Sequence, residues 1–569
     1  MALSQLSPAT FSQYDRELIG KYYRRRPLQV LWRLVSVLFV SLGFVIGLAW
    51  DRSTKSEGTQ LPRRARQLRR IITDLGPTYI KVGQALSTRP DLVRADFLEE
   101  LTKLQDQLPA FSNSQAFTII ETELGKPLNQ VYRQISPNPV AAASLGQVYK
   151  GNLLTGEEVA IKVQRPNLVP LITLDLYVLR LLASWIAPWL PLNLGTDLGS
   201  IVDEFGIKLF EEIDYINEAK NADRFSAYFA DDPQVIAPRI YHQFSTRRVL
   251  TMEWINGIKL TNVDQIQAAG LDTDELVRIG VMSGLRQLLE FGFFHADPHP
   301  GNLFATYDGK MAYIDFGMMD QLDLATKENL VDSVVHLINR DYEQLGNDYV
   351  KLGFLRPNEQ MQPIVAALES ILGDIMTEKV SDFNFKVVTD RFSKIMYEYP
   401  FALPAKFALI IRSVVTQEGV ALSLNPDFKI VQVAYPYVAR RLLTDESPSL
   451  RQRLLEVLFK DGKFQWARLE NLLSIAQADR GFDLMPTAKL GMQHLFSQEG
   501  DYLRRKLVLI LTEDNRLHLE EVQRLWQMLQ IDLPKTLWDL AISGVRENLP
   551  KAIVAAIPLA NLIMPGGNS

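Results

Sequence analysis

The chain has 569 residues, 47% of them hydrophobic and 22% charged, with a formal net charge of −5. This composition excludes global disorder and supports a sizeable core and more than one structural unit, while the small negative charge argues against a nucleic-acid partner, which needs a basic surface to neutralise phosphates. The absence of cysteine excludes disulfides, thiolate catalysis, cysteine-ligated iron–sulfur clusters and cysteine zinc sites.

The N-terminal stretch "MALSQLSPATFSQYDRELIGKYYRRRP" begins uncharged and carries Asp15 and Glu17, so it reads as neither a signal nor a transit peptide. Between Arg33 and Asp51 lie 17 residues without charge, "LVSVLFVSLGFVIGLAW", slightly short of the roughly 20 residues that cross a bilayer. Basic residues flank both ends, from Arg24 to Arg33 and from Arg52 to Arg70. Three readings compete: a shallow or re-entrant membrane anchor, a true span, and a buried core helix. The double basic flank favours the anchor, because anionic headgroups attract lysine and arginine. Near the C-terminus "AIVAAIPLANLIMP", residues 552–565, is too short to span and is broken by Pro558.

From about Leu61 to Val131 apolar residues recur at helical spacing. "SLGQVYKGNLLTGEEVAIKVQ" then alternates and predicts a β-hairpin turning at Thr155–Gly156. Helical patterns return in "LITLDLYVLRLLASWI" and "SIVDEFGIKLFEEIDYINEAKNADRF", the latter read as one helix. "RVLTMEWINGIKL" predicts a strand and turn, "LVRIGVMSGLRQLLEFGFFH" a helix, and "MAYIDFG" a short strand ending in a loop. From Ala325 to about Leu443 the chain reads as largely helical, "TDESPSL" as a linker, and the remainder as more helices. The order is α+β, with the β-rich part early. The predicted parts are a membrane-associating segment (1–60), a helical extension (61–131), a small lobe (132–256), a helical lobe (257–443) and a helical tail (444–569).

Four elements that carry chemistry fall in a fixed order. Ala141, Ala143 and Gly146 stand at the three glycine positions of a kinase phosphate loop, with Val148 at its valine. Lys162 of "VAIK" follows on the next predicted strand, where an ammonium reaches phosphate oxygens and is steadied by a helix glutamate. In "HADPHPGN", Asp297 and Asn302 keep the D-x-x-x-x-N spacing of a catalytic loop, and His295 stands in the structural histidine position. In "DFG", Asp315 is placed to hold magnesium, and carboxylate and amide oxygens suit such a hard cation. Zinc on His295 and His299 is disfavoured, because Pro298 and Pro300 prevent the helix that would align them. No "APE" follows "DFG", so the segment that grips a protein substrate is absent or replaced.

"KVGQ" (Lys81 to Gln84), "AAAS" (Ala141, Ala142, Ala143 and Ser144), "VAIK", "EID" (Glu212 to Asp214), "DPHPGN" and "DFG" together resemble the UbiB/ADCK family of atypical kinase-like proteins, over about residues 61–443. The resemblance implies a two-lobed kinase-like fold with the KxGQ extension over the active site, ATP/ADP and Mg2+ binding, and ATPase activity. It also implies a role in prenyl-quinone or related lipid homeostasis, with membrane lipids, prenyl-quinone precursors or quinone-biosynthesis proteins as partners. Lys81 and Gln84 would then lie over the pocket near Glu212, with Asp297, Lys162 and Lys81 carrying the chemistry and Asn302 and Asp315 the metal. The glutamate for Lys162 is open between two patterns. Glu211, Asp214 and Glu218 share one face of a continuous helix, whereas the family motif marks Glu212 and Asp214. The assignment favoured is Glu218 for Lys162 and Glu212 for Lys81. Backbone groups from Glu253 to Ile255 would bind adenine.

Alanine disfavours the left-handed conformations that glycine permits and is the best helix former. The alanine loop is therefore expected to be stiffer, even to the point of a helix whose free N–H groups still bind phosphate. It is expected to lower phosphoryl-transfer competence or shift nucleotide preference. The alternative reading is a hairpin packed with small residues and without a phosphate role. The function expected is an Mg2+-dependent ATPase or kinase for a lipid-like substrate at a membrane. The alternatives are a nucleotide-switched scaffold or a true protein kinase. A bacterial cytoplasmic membrane face is the expected location, or a thylakoid in a photosynthetic source. Oligomeric state is left open.

Overall fold

The computed structural model describes residues 11–54, 57–87, 93–104, 109–186, 198–338, 340–377 and 404–428, with residue 430 and short pieces as far as 517 beyond these. The chain divides into two compact units, residues 1–333 with 342–430, and residues 334–341 with 431–569. The second includes the predicted tail, and the apolar C-terminal stretch at 552–565 lies outside the described residues. All candidate site residues belong to the first unit.

Six helices lead in: α1 (Arg16–Arg24), α2 (Pro27–Ser53), α3 (Glu57–Leu75), α4 (Pro77–Leu86), α5 (Ala95–Leu101) and α6 (Asn113–Leu124). Asp15 caps α1 by accepting from the N–H groups of Glu17 and Leu18, and Gly125, left-handed at φ 64, ends α6. α4 carries the KxGQ motif. Ile71, Ile72, Leu75, Tyr79 and Ile80 of α3 and α4 form one core with Leu101 and Val37.

The small lobe follows as β1 (Tyr132–Ile135), β2 (Ala141–Ala142), β3 (Gly146–Leu153) and β4 (Glu158–Gln164). The β3–β4 hairpin turns where the sequence placed it, with Gly156 at φ 106, a conformation glycine adopts without strain. The antiparallel sheet is completed by β6 (Val249–Glu253) beside β4, while β2 pairs β3. Val159, Ile161 and Val163 point to a core shared with Tyr149, Val249 and Ile120 of α6, and all six are fully buried.

Between β4 and β6 lie α7 (Leu168–Ile186), α8 (Leu198–Ile213), α9 (Tyr215–Tyr228) and β5 (Val235–Ile236). The single helix expected over "SIVDEFGIKLFEEIDYINEAKNADRF" is two. Asp214 takes an extended conformation (φ −88, ψ 99) and its carboxylate accepts from the Ile216 N–H, so it caps a new helix. A side chain that satisfies a free helix N–H competes with helix continuation. The pattern that placed Glu211, Asp214 and Glu218 on one face therefore does not hold.

The helical lobe comprises β7 (Gly257–Lys259), α10 (Val263–Ala268), α11 (Thr273–Leu285), β8 (Phe293–His295), β9 (Leu303–Thr306), β10 (Met311–Tyr313), β11 (Met319–Gln321), α12 (Leu324–Ile338), α13 (Tyr342–Lys351), α14 (Met361–Thr377) and α15 (Ala405–Leu424). β10 pairs β5 in parallel and β9 antiparallel. β11 pairs β8 antiparallel, so the chain after "DFG" forms a strand before it turns helical.

α2 is longer than the uncharged stretch suggested. By length and composition three described helices could cross a membrane: Pro27–Ser53, Leu168–Ile186 and Lys406–Leu424. α2 packs along α3 and α7. Near its start Arg33 pairs with the fully buried Asp175 of α7 at 2.6 Å and also donates to Leu75 O. Near its end Asp51 pairs with Arg64 of α3 at 2.6 Å, and a Cβ at Gly47 would collide with that guanidinium. Arg33 and Arg64 therefore contact protein, not headgroups as the flank pattern suggested. On the opposite face Leu28, Trp32, Phe39 and Trp50 are each more than two-thirds exposed, with Leu31, Val35, Leu42, Val45 and Ile46 beside them. That spacing makes one continuous apolar stripe.

Candidate nucleotide site

Lys162 Nζ sits 2.8 and 2.9 Å from the two carboxylate oxygens of Glu218 on α9 and 3.6 Å from Asp315 Oδ2. Lys81 of α4 meets Glu212, near the end of α8, at 2.5 Å. The helix break at Asp214 separates these roles, since it turns Glu218 and Glu212 toward different lysines. Asp214 serves neither; it caps α9 and pairs with Arg247 at 3.2 Å. Glu211 pairs with Lys208. Gln84 donates to Leu104 O at 3.3 Å, within the helical extension. A Cβ at Gly317 would touch both Asp315 and Glu212, so the Lys81–Glu212 pair lies against the "DFG" turn.

Burial opposes the Lys162 charge, but Asp315 and Glu218 hold it well above its ordinary value, so the ammonium persists. Burial pushes Glu218 up to about 7 against the pull of Lys162. Burial also opposes ionisation of Asp315, yet Lys162 and the Gly317 N–H hold it down to about 2. Among these three groups Asp315 is the permanent anion.

His295 is buried, and burial lowers its pKa. Its Nδ1 accepts from the Asp297 N–H at 3.1 Å, which assigns the proton to Nε2, 2.8 Å from Asp315 O. One neutral imidazole thus ties the "HADPHPGN" loop to the "DFG" turn. His299 accepts from the Gly301 N–H and stays within its loop. Asn302 Nδ2 lies 3.3 Å from Asp315 Oδ2. A carboxylate with an amide side chain bonded to it supplies the ligand types that fit Mg2+, which takes one or two protein ligands and completes its shell with phosphate oxygens and water.

The alanine loop is extended, not helical. Ala141 and Ala142 pair with Val148 and Gln147 of β3, and the Ala143 N–H donates to Gly146 O at 2.8 Å, closing a tight turn. Strand pairing to β3 overrides helix propensity, which is a weak preference in so short a stretch. Ser144 in the turn is fully buried. Arg165, which the sequence did not mark, donates from Nε and Nη2 to Ala143 O and from Nη2 to Pro109 O. The loop is therefore held by a guanidinium fork as well as by its pairing. Gly146 is required for another reason. A Cβ there would lie 2.5 Å from Tyr215 Oη and 2.6 Å from Val163 O. Gly146→Ala is therefore expected to cost about 1–3 kcal/mol through overpacking, read as a lowered urea midpoint.

At the expected adenine edge, the Glu253 N–H donates to Arg239 O and the Trp254 N–H to Glu158 O. Among the described residues the Ile255 N–H donates to no backbone carbonyl. A second residue the sequence did not single out is Arg412 of α15, whose guanidinium forms an ion pair with Asp297; both side chains are mostly buried. No local spacing links residues 115 positions apart.

The sequence matches the family model of the ABC1 atypical kinase-like domain over residues 103–349. It is 61% identical to an uncharacterized protein of Synechocystis sp. (slr1919), across 94% of this chain and 95% of that protein. Together with two chloroplastic kinase relatives of Arabidopsis thaliana, the family-model match shows that the chain belongs to the ABC1, or UbiB/ADCK, family of atypical kinase-like proteins. A chloroplastic relative from Arabidopsis thaliana, ACTIVITY OF BC1 COMPLEX KINASE 1, is 46% identical across 92% of this chain and 80% of its own length. A chloroplastic aarF domain-containing protein kinase of the same plant is 38% identical across 89% and 73%. The kinase-like α+β architecture follows from this membership and from the two lobes described above.

Proposed function

We propose that this ABC1 protein is an Mg2+-dependent ATP-binding enzyme, an ATPase or a kinase for a lipid-like substrate, working at a membrane surface in prenyl-quinone or related lipid metabolism. The observation that carries the reading is the contact network that joins Lys162 to Glu218 and Asp315, Asp315 to Asn302, and Asp315, through His295, to the Asp297 backbone. A degenerate, nucleotide-switched scaffold needs no such complete set. Lys162 is the cation for the α- and β-phosphates, steadied by Glu218. Asn302 and Asp315 are the oxygen donors for magnesium, which when bound neutralises phosphate charge. Asp297 is the carboxylate placed to orient and deprotonate a nucleophile. The Lys81–Glu212 pair brings the helical extension onto the "DFG" turn, where a kinase would open to a bulky peptide. This supports water or a small lipid-like acceptor over a protein.

Support for the membrane comes from the exposed apolar stripe of α2. So large a continuous patch is rare on soluble monomers. The two ion pairs at Arg33 and Asp51 stand 18 positions apart, about 27 Å along the helix, and hold α2 against the domain. That favours a helix lying in the interface over one leaving the domain to span. The chloroplastic relatives favour a plastid-type or thylakoid membrane over the plain bacterial membrane face. ATP turnover with and without anionic vesicles tests the whole reading. Asp315→Asn is expected to lower turnover by on the order of 100-fold or more while leaving vesicle binding intact. Unchanged turnover removes the enzyme reading.

A further inference from the structure

Tyr215 begins α9, directly after the Asp214 cap and three residues before Glu218. Its side chain is fully buried, and its hydroxyl has no hydrogen-bond partner. The Lys162 ammonium lies 5.2 Å from the ring centroid. The hydroxyl abuts Gly146 so closely that no Cβ fits between them. A phenol in such surroundings usually finds a partner, because an unpaired buried hydroxyl is costly and such groups are rare. The neighbouring cations are engaged: Lys162 on Glu218, and Arg165 on Ala143 O and Pro109 O. The Tyr215 O–H is the donor left without an acceptor, under the turn that stands where a kinase phosphate loop stands.

We infer that Tyr215 is a nucleotide-phosphate contact: its hydroxyl donates to a phosphate oxygen of the bound nucleotide, from beneath Gly146. Phosphate supplies the acceptor that the protein does not, and the charge-assisted bond is of the stronger kind. The alanine loop then needs fewer of its own N–H groups for phosphate, since a side chain from α9 supplies a donor. Gly146 also has a reason to be glycine that differs from loop flexibility: it makes room for this hydroxyl. The inference rests on the nucleotide-binding reading above.

Calorimetric titration of wild type and Tyr215→Phe with Mg2+ and ATP, ADP or adenosine tests it, together with melting of the ligand-free proteins. Tyr215→Phe is expected to weaken ATP and ADP by about tenfold and to leave adenosine unchanged. Without ligand its melting temperature should be equal to or above that of wild type, because the hydroxyl removed had no partner. Wild type that binds none of the three sinks the nucleotide reading itself. Wild type that binds, with Tyr215→Phe unchanged or equally weakened toward adenosine, overturns the Tyr215 role alone. A lower ligand-free melting temperature also overturns it, since it would mean that the hydroxyl is satisfied within the protein.

Discussion

Glu218→Ala is expected to lower the stability of the kinase-like unit by about 3–5 kcal/mol, the usual loss when one partner of a buried ion pair is removed. Lys162 would keep its charge with only Asp315, 3.6 Å away, to balance it. The Glu218 side chain is 1% exposed and that of Lys162 19%, so water does not readily replace the lost carboxylate. Urea denaturation measures the change. The informative comparison is the double variant Glu218→Ala with Lys162→Met. Removing both charges takes away the desolvation burden as well as the attraction, so the double variant should be more stable than Glu218→Ala alone. A double variant as unstable as the single one would mean that Glu218 acts through packing and not through its charge. Glu218→Gln keeps a hydrogen-bond acceptor for Lys162 and the Phe316 N–H and should fall between them.

Much of this arrangement was legible in the sequence because kinase chemistry is carried by short motifs. Lys162, Asp297, Asn302 and Asp315 each sit in a local pattern whose residue types match a phosphate, a metal or a proton. Their order along the chain supplies what no single motif does. The β3–β4 hairpin was equally plain, because strict alternation and a Thr-Gly turn leave few other folds. The break at Asp214 was not. Helical spacing continues through "EEIDYINEA", and only the competition between a capping carboxylate and helix continuation ends α8 there. Assigning glutamates by shared face therefore rested on a helix that does not exist, although Glu218 and Glu212 do meet the two lysines chosen for them. The alanine loop misled in the other direction. Propensity said helix, but pairing to β3 and the Arg165 fork made it extended. Arg165, Tyr215 and Arg412 carried no signal at all. Their roles come from partners brought together by the fold from distant parts of the chain.

The flanking arginines teach the same lesson about charge. Counted along the sequence, Arg33 and Arg64 look like headgroup ligands for α2. In the fold each is spent on a buried carboxylate, Asp175 and Asp51, so these two charges serve packing within the protein. Local patterns report what a residue is suited to do, and packing decides which partner it finds.

Arg412→Ala is expected to reduce ATP turnover by about 10–100-fold while changing nucleotide affinity little. Arg412 reaches Asp297 from α15 and touches neither Lys162 nor the Asn302–Asp315 pair. Its loss frees one carboxylate and leaves the phosphate and metal donors where they are. A catalytic group displaced by about 1 Å loses on the order of 100-fold in rate. Arg412→Lys retains the charge but not the planar fork that fixes a carboxylate, so it should recover only part of the loss. Parallel loss of turnover and affinity would mean that α15 supports the whole lobe rather than Asp297. A rise in turnover would carry a different meaning, because it would show that the guanidinium holds Asp297 back from the nucleophile. Measuring the Michaelis constant and the turnover number separately for the two variants separates these outcomes, since only positioning of Asp297 predicts a loss confined to the turnover number.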